Sequence, residues 1–173
     1  MNNIYLIGFM GSGKSAVAAY LMRQYGIPRV EMDREIESEY GMTIPEIFES
    51  EGEGAFRQKE TLLLQKIAER EEVVVSCGGG VPTRAENVEL MRRSGKIILL
   101  KADPETILER VKRSENRPVL QGRKTIEGIS ELMERRRECY ENAADFTVNT
   151  DGRTIAEVAE EVRGLLMSGK KVP

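Results

Sequence analysis

The chain has 173 residues, 40% apolar and 32% charged, with a net charge of −3. One soluble globular domain spanning residues 1–173 is expected, and nothing approaches the ~20 apolar residues of a membrane span. The acidic balance argues against nucleic acid as a partner, and the lack of any histidine removes the usual metal ligand and the usual near-neutral acid–base group.

Asn3–Ile7 is the first predicted strand, and so early a start leaves no room for a targeting leader. Gly8-Phe9-Met10-Gly11-Ser12-Gly13-Lys14-Ser15 follows and fits G-x-x-x-x-G-K-[ST], the phosphate-binding P-loop. Val17, Ala18, Leu21, Met22 and Tyr25 then recur at helical spacing. Strand, glycine loop and helix in that order is the context this loop requires. The glycines let the backbone curl. Gly11, Ser12, Gly13, Lys14, Ser15 and Ala16 are thereby expected to bind the phosphates of ATP, through inward N–H groups and the helix N-terminus. Lys14 is expected at the β- and γ-phosphates, and the Ser15 hydroxyl on Mg²⁺.

Gly26 is the predicted stop of the first helix. Residues 30–32 read as a second strand and residues 33–40 as an acidic helix. Thr43-Ile44-Pro45-Glu46 is a capping box with an early proline, opening a short helix. Residues 53–70 carry Phe56, Leu63, Leu64 and Ile67 at helical spacing. Residues 73–76 form a buried-strand run closed by Gly78-Gly79-Gly80. Thr83-Arg84-Ala85-Glu86 reads as a second capping box, for a helix to about Arg93. Residues 97–100 are the next strand, and Asp103-Pro104 opens a helix to about Arg113. Residues 114–124 hold Pro118 and Gly122 with few apolar residues and read as a loop. Ile126–Ala143 is a long helix, Phe146–Asn149 the last strand, and Thr154-Ile155-Ala156-Glu157 caps the last helix. Residues 168–173 read as a tail. Strand and helix alternate about five times, so the predicted class is α/β: a parallel sheet with helices on both faces, three layers in all. Cys77 and Cys139 have no metal spacing and read as small core residues, which suits a reduced, cytoplasmic setting.

A P-loop specifies only a nucleotide. A GTPase needs N-K-x-D and D-x-x-G, and the sequence contains neither. A small-molecule kinase remains. In open α/β sheets the ligand lies beyond the carboxyl ends of the strands. The second predicted strand ends at Glu31-Met32-Asp33, the third at Gly78-Gly79-Gly80, and Arg57 lies on the helix leading into the third. These elements form a cup with one carboxylate, one guanidinium and a run of exposed amides.

At this point the sequence resembles the shikimate kinase family, over essentially its whole length. The resemblance rests on the P-loop, Asp33, Gly52 with Phe56-Arg57, Gly78-Gly79-Gly80, Arg117-Pro118, and Arg136 four residues before Tyr140, in that order. It implies transfer of the ATP γ-phosphate to the 3-hydroxyl of shikimate, on the chorismate route to aromatic amino acids. It also implies a five-stranded sheet of order 2-3-1-4-5, an acceptor subdomain near residues 33–61, a lid near 114–124, and a monomer. Shikimate carries one carboxylate and three hydroxyls, and an arginine fork suits the carboxylate. By resemblance Arg57 and Arg136 supply two forks, with contacts from Gly78, Gly79 and Gly80. Asp33 takes hydrogen bonds from ring hydroxyls, as general base or as orienting group. Arg117 is the lid arginine at the transferring phosphoryl group, and Arg110 and Arg153 flank the adenine. The plain alternatives are a helix cap for Asp33, an ion pair with Glu53 or Glu60 for Arg57, and a solvated helix face for Arg136.

Two departures stand out. The family's Asp-x-Asp, whose first acid supports Mg²⁺, is Glu31-Met32-Asp33 here: Glu31 either supports the metal with one methylene more of reach or stands outside its shell, and Ser76 is a further candidate near the metal or its waters. Ile155 replaces a common proline beside the adenine. The rival functions are a P-loop kinase for another polyol acid, such as gluconate, and a nucleotide-dependent regulator.

Overall fold

The computed structural model describes residues 2–112 and 125–168. Five parallel strands, β1 (Asn3–Ile7), β2 (Arg29–Glu31), β3 (Val74–Ser76), β4 (Gly95–Lys101) and β5 (Phe146–Asn149), form one sheet of order β2-β3-β1-β4-β5. Parallel neighbours need crossovers; among the described residues the helices between strands are α1 (Lys14–Tyr25), α2 (Met32–Tyr40), α3 (Ile44–Ala68), α4 (Ala85–Ser94), α5 (Pro104–Val111) and α6 (Ile126–Ala143), and α7 (Ile155–Ser168) follows β5.

β1 is central and every residue of it is buried. Its side chains alternate between two cores, as a pleated strand covered on both faces must. Ile4 and Leu6 join Val17, Ala18 and Leu21 of α1 and Val158, Ala159 and Val162 of α7. Tyr5 and Ile7 join Met32 and Ile36 of α2, Leu64 and Ile67 of α3, Met91 of α4, Ile107 of α5 and Ile129 of α6. The predicted three-layer α/β architecture and strand order are therefore the observed ones. The carboxyl ends of β1, β2 and β3 open onto the P-loop, the first turn of α2 and the glycine run.

Several local readings shift. Met22 and Tyr25 do not share the buried face of α1; they are 37% and 38% exposed, and Arg163 lies over the Tyr25 ring. β2 ends at Glu31, because Met32 turns into the core as the first residue of α2. The two helices expected between residues 43 and 70 are one element, kinked at Gly52 with φ 85° and ψ 169°. β4 begins two residues early: Gly95 pairs with Asn3 and Lys96 with Ile4. Only glycine fits at 95, since a Cβ there would sit 2.2 Å from the Asn3 carbonyl oxygen.

Of the three predicted capping boxes, two form. Glu46 N donates to Thr43 Oγ1 while Thr43 N donates to Glu46, and Thr154 and Glu157 repeat the exchange. The box at Thr83 does not form. Val81–Thr83 is a 3₁₀ turn, Thr83 Oγ1 donates to Gly80 O at 2.6 Å, and Glu86 pairs with Arg84 instead. The expected loop at 114–124 and most of the expected tail lie outside the described residues.

Asn3 ties the amino end of the sheet to α3. Its Nδ2 donates to Arg70 O at 2.9 Å and Ile67 O at 3.3 Å, and its Oδ1 accepts from Val73 N at 3.2 Å. The side chain is fully buried, so truncation strands backbone groups away from water. Asn3→Ala is expected to lower unfolding stability by about 1–3 kcal/mol. Denaturant titration checks this; a loss under about 0.5 kcal/mol would show that water replaces the amide.

Candidate active site

The P-loop is shaped by where it must pass. Gly8 leaves β1 with φ 146°, and a Cβ there would lie 2.5 Å from Leu100 O of the neighbouring strand. Gly11 and Gly13 also have positive φ, 79° and 101°, conformations that side chains disfavour. Gly13 is the N-cap of α1 and has no side-chain cap, so the first-turn N–H groups, including those of Ser15 and Ala16, are left for a ligand. Lys14 is nearly buried, and its Nζ donates to Gly8 O at 2.7 Å and Phe9 O at 3.1 Å. Ser12 is buried within the loop, 1% exposed.

Beside Lys14 three side chains converge. Ser15 Oγ donates to Glu31 Oε2 at 2.7 Å and lies 3.2 Å from Ser76 Oγ. Glu31 Oε1 is buried and accepts no hydrogen bond among the described residues, with Arg29 Nη1 at 3.5 Å. Two hydroxyls and a carboxylate are hard oxygen donors that suit Mg²⁺, which takes one or two protein carboxylates and fills its remaining positions with water and phosphate. The longer Glu31 side chain therefore reaches the Ser15 hydroxyl directly. No cluster of three or more histidine, cysteine or acidic residues occurs among the described residues, so a cage made wholly of protein ligands is not on offer there.

A cleft of about 520 Å³ runs from this point past Asp33 to Gly78 and Gly79. Asp33 stands exposed in the first turn of α2. The glycine run has ordinary negative-φ backbone; what it lacks is room. A Cβ on Gly78 would lie 2.5 Å from Glu60 Oε1 and 3.2 Å from Asp33 Oδ1. One on Gly79 would lie 2.9 Å from Arg136 Nη1, and one on Gly80 2.1 Å from Arg57 Nη1. Each glycine thus admits a different charged side chain, and the structure brings Asp33, Arg57 and Arg136 around one strip of backbone.

Arg136 is the inward member of three successive arginines. Its guanidinium stands over the Phe9 ring at 6.0 Å. Arg135 pairs outward with Glu131, and Arg137 with Glu134 and Glu141. One turn on, Tyr140 OH donates to Gly79 O at 2.6 Å, and burial pushes its phenol above the usual range. For Arg57 the ion-pair alternative is what the structure shows, with Glu60 at 2.8 Å and Glu53 at 3.1 Å, and the guanidinium also lies against Gly80.

Glu60 is the residue that sequence reasoning gave no site role. It is 1% exposed, and burial pushes its carboxyl up to about 7, against the lowering pull of Arg57. The available signal was its place on the apolar stripe of Phe56, Leu63, Leu64 and Ile67, where an unpaired acid would be costly.

On the far side of the P-loop, Arg110 Nη1 donates to Gly11 O at 2.9 Å and Thr150 Oγ1 at 3.3 Å. Arg153 donates to Asn149 O and Glu157 O and pairs with Glu161. Ile155 is 38% exposed there, with its Cδ1 3.9 Å from a Cβ built on Gly13. Arg117 lies outside the described residues. Cys77 is buried and its thiol pushed up by desolvation, which leaves it inert, as expected of a core residue.

Residues 10–166 match the family model described as shikimate kinase. A shikimate kinase from Caldicellulosiruptor bescii is 41% identical over 162 residues, 94% of each chain. The structure of a shikimate kinase from Acinetobacter baumannii in complex with shikimate superposes with a TM-score of 0.93 at 36% identity, covering 98% of this chain and 95% of that one. A shikimate kinase from Aquifex aeolicus superposes with a TM-score of 0.83 at 38% identity, covering 96% and 97%. The P-loop, the acceptor cup, and this likeness over nearly the full length agree: the chain belongs to the shikimate kinase family.

Proposed function

We propose that this chain transfers the γ-phosphate of ATP to the 3-hydroxyl of shikimate, a step toward chorismate and the aromatic amino acids. The observation that carries the reading is the glycine run, bracketed by Arg57, Arg136 and Asp33 at the end of a cleft that begins at the P-loop. Two guanidinium groups suit one carboxylate, and a carboxylate across the strip suits ring hydroxyls. A neutral polyol would offer those guanidinium groups no anion to clamp.

The chain's own groups then divide the work. The first-turn amides of α1 and the P-loop hold the phosphates. Lys14, now resting on Gly8 O and Phe9 O, turns its ammonium toward the β- and γ-phosphates. Arg57 and Arg136 fix the acceptor by its carboxylate, and Asp33 accepts the hydroxyl proton in a hydrogen bond that aims the oxygen at phosphorus. Ser15 and Glu31, with Ser76 beside them, would hold Mg²⁺, which when bound neutralises charge on the β- and γ-phosphates. Arg110 and Arg153 line the nucleotide side, and Arg117 supplies the closing cation by family resemblance. One domain over residues 1–173, an acceptor-binding part near 33–61, a lid near 114–124, a monomer and a cytoplasmic setting complete the proposal.

ADP release with Mg·ATP is expected with shikimate and not with gluconate or without acceptor, and Lys14→Ala should abolish it. Turnover with gluconate alone would keep the kinase and discard the arginine assignments. Arg136→Ala should raise the shikimate KM at least ~10-fold, while Arg137→Ala leaves it within about twofold; equal effects would show that the wrong arginine has been placed inward. Glu31→Gln should raise the Mg²⁺ concentration for half-maximal rate roughly tenfold, measured at fixed ATP; an unchanged requirement would remove Glu31 from the metal's surroundings.

A further inference from the structure

Glu60 presents one oxygen to Arg57 and keeps the other, Oε1, without a hydrogen bond. That oxygen is buried and lies 2.5 Å from the place a Cβ on Gly78 would take, so it packs directly against the glycine strip that walls the acceptor cup. The charged and titratable groups around it come from every neighbouring element. Arg57 lies on α3 itself, Asp33 on α2, Arg136 on α6, and Cys77 just after β3. Glu53 shares Arg57, Tyr140 feels both Arg57 and Arg136, and Arg84 lies a turn away against Thr61. Arg57 already pairs with both Glu60 and Glu53, with Asp33 nearby. An incoming acid adds a further negative charge and competes for Arg57.

We infer that Glu60 determines specificity in the acceptor cup: it takes up a proton from solvent when an acid pairs with Arg57, so binding of an acid, unlike that of a neutral polyol, is proton-linked. The inference rests on the acceptor reading above. Its physical basis is a shared cation. Arg57 is what favours the Glu60 carboxylate against desolvation, and an acid bound to Arg57 weakens that support. The proton has a place to go, on Oε1, the buried oxygen beside Gly78 that carries no hydrogen bond. The carboxyl already sits near pH 7 in the empty protein, and the chain has no histidine to take the proton instead. The sign follows from linkage. The complex holds Glu60 protonated to higher pH than the empty protein, so affinity for the acid is full below about pH 7 and falls as pH rises above it.

Calorimetric titration of the full chain with shikimate at pH 7.5, in phosphate and in Tris, measures the proton directly. Uptake of roughly half a proton or more per shikimate is expected, with affinity weakening at least ~5-fold from pH 6 to pH 9. Glu60→Gln keeps an amide oxygen for Arg57 but cannot ionise; it should bind shikimate without proton uptake and with a flat pH profile. The methyl ester of shikimate, which is neutral, should bind the natural protein without uptake. Shikimate binding with buffer-independent heat, or uptake that persists in Glu60→Gln, overturns the inference and leaves the acceptor reading intact. No shikimate binding at all overturns the acceptor reading and the inference with it.

Discussion

Four charged side chains crowd onto three consecutive α-carbons, and the rest of the site is arranged around that approach. Glu60, Arg136 and Arg57 each come within 3 Å of where a Cβ would stand on Gly78, Gly79 or Gly80, with Asp33 slightly farther off. These groups arrive from α2, α3 and α6, which meet above the carboxyl end of β3. The sheet order explains why. With β3 beside β1, the glycine strip comes next to the P-loop, and the two form adjoining walls of one cleft. A side chain at any of the three positions would force a charged group to move, and that group would then need a new partner in a poorly solvated place.

The polar contacts of the site are also contacts of the empty fold. Lys14 is held by loop carbonyls, Ser15 by Glu31, Arg57 by Glu53 and Glu60, and Arg110 by Gly11 O and Thr150. Such internal partners keep long side chains near their working positions before any ligand arrives, which reduces the ordering cost of binding. They also set a competition, since a ligand group that pairs with one of these side chains must displace a contact that already exists.

What the sequence made legible was local or strongly patterned. The P-loop carries its own glycine spacing, and the strands are apolar runs between turn residues. Two capping boxes formed because nothing nearby competed for their hydroxyls. Thr83 failed for a local reason: the 3₁₀ turn brings Gly80 O, three residues back, within reach of the Thr83 hydroxyl. Lys96 hid the start of β4, because an exposed lysine at the sheet's end breaks an apolar run without breaking the pairing. The triple glycine was visible, but its cause was not; periodicity cannot say which side chains approach it. Nor can composition choose among Arg135, Arg136 and Arg137, whereas four-residue spacing to Tyr140 puts Arg136 on the face that turns inward. Glu60 was hidden because an acid within three residues of an arginine on a helix ordinarily signals a surface pair.

The anchoring of α3 has a mechanical side. Asn3 grips the carboxyl end of this helix at the floor of the sheet, while Arg57, ten residues before Ile67, works at the roof. At 1.5 Å per residue the arm between them is about 15 Å long, so a tilt of about 4° at the base swings the guanidinium by about 1 Å. Errors of that size are costly where reacting groups must be aligned. The helix is thus a lever whose fulcrum, the Asn3 amide, lies at the opposite end of the sheet from the guanidinium it carries.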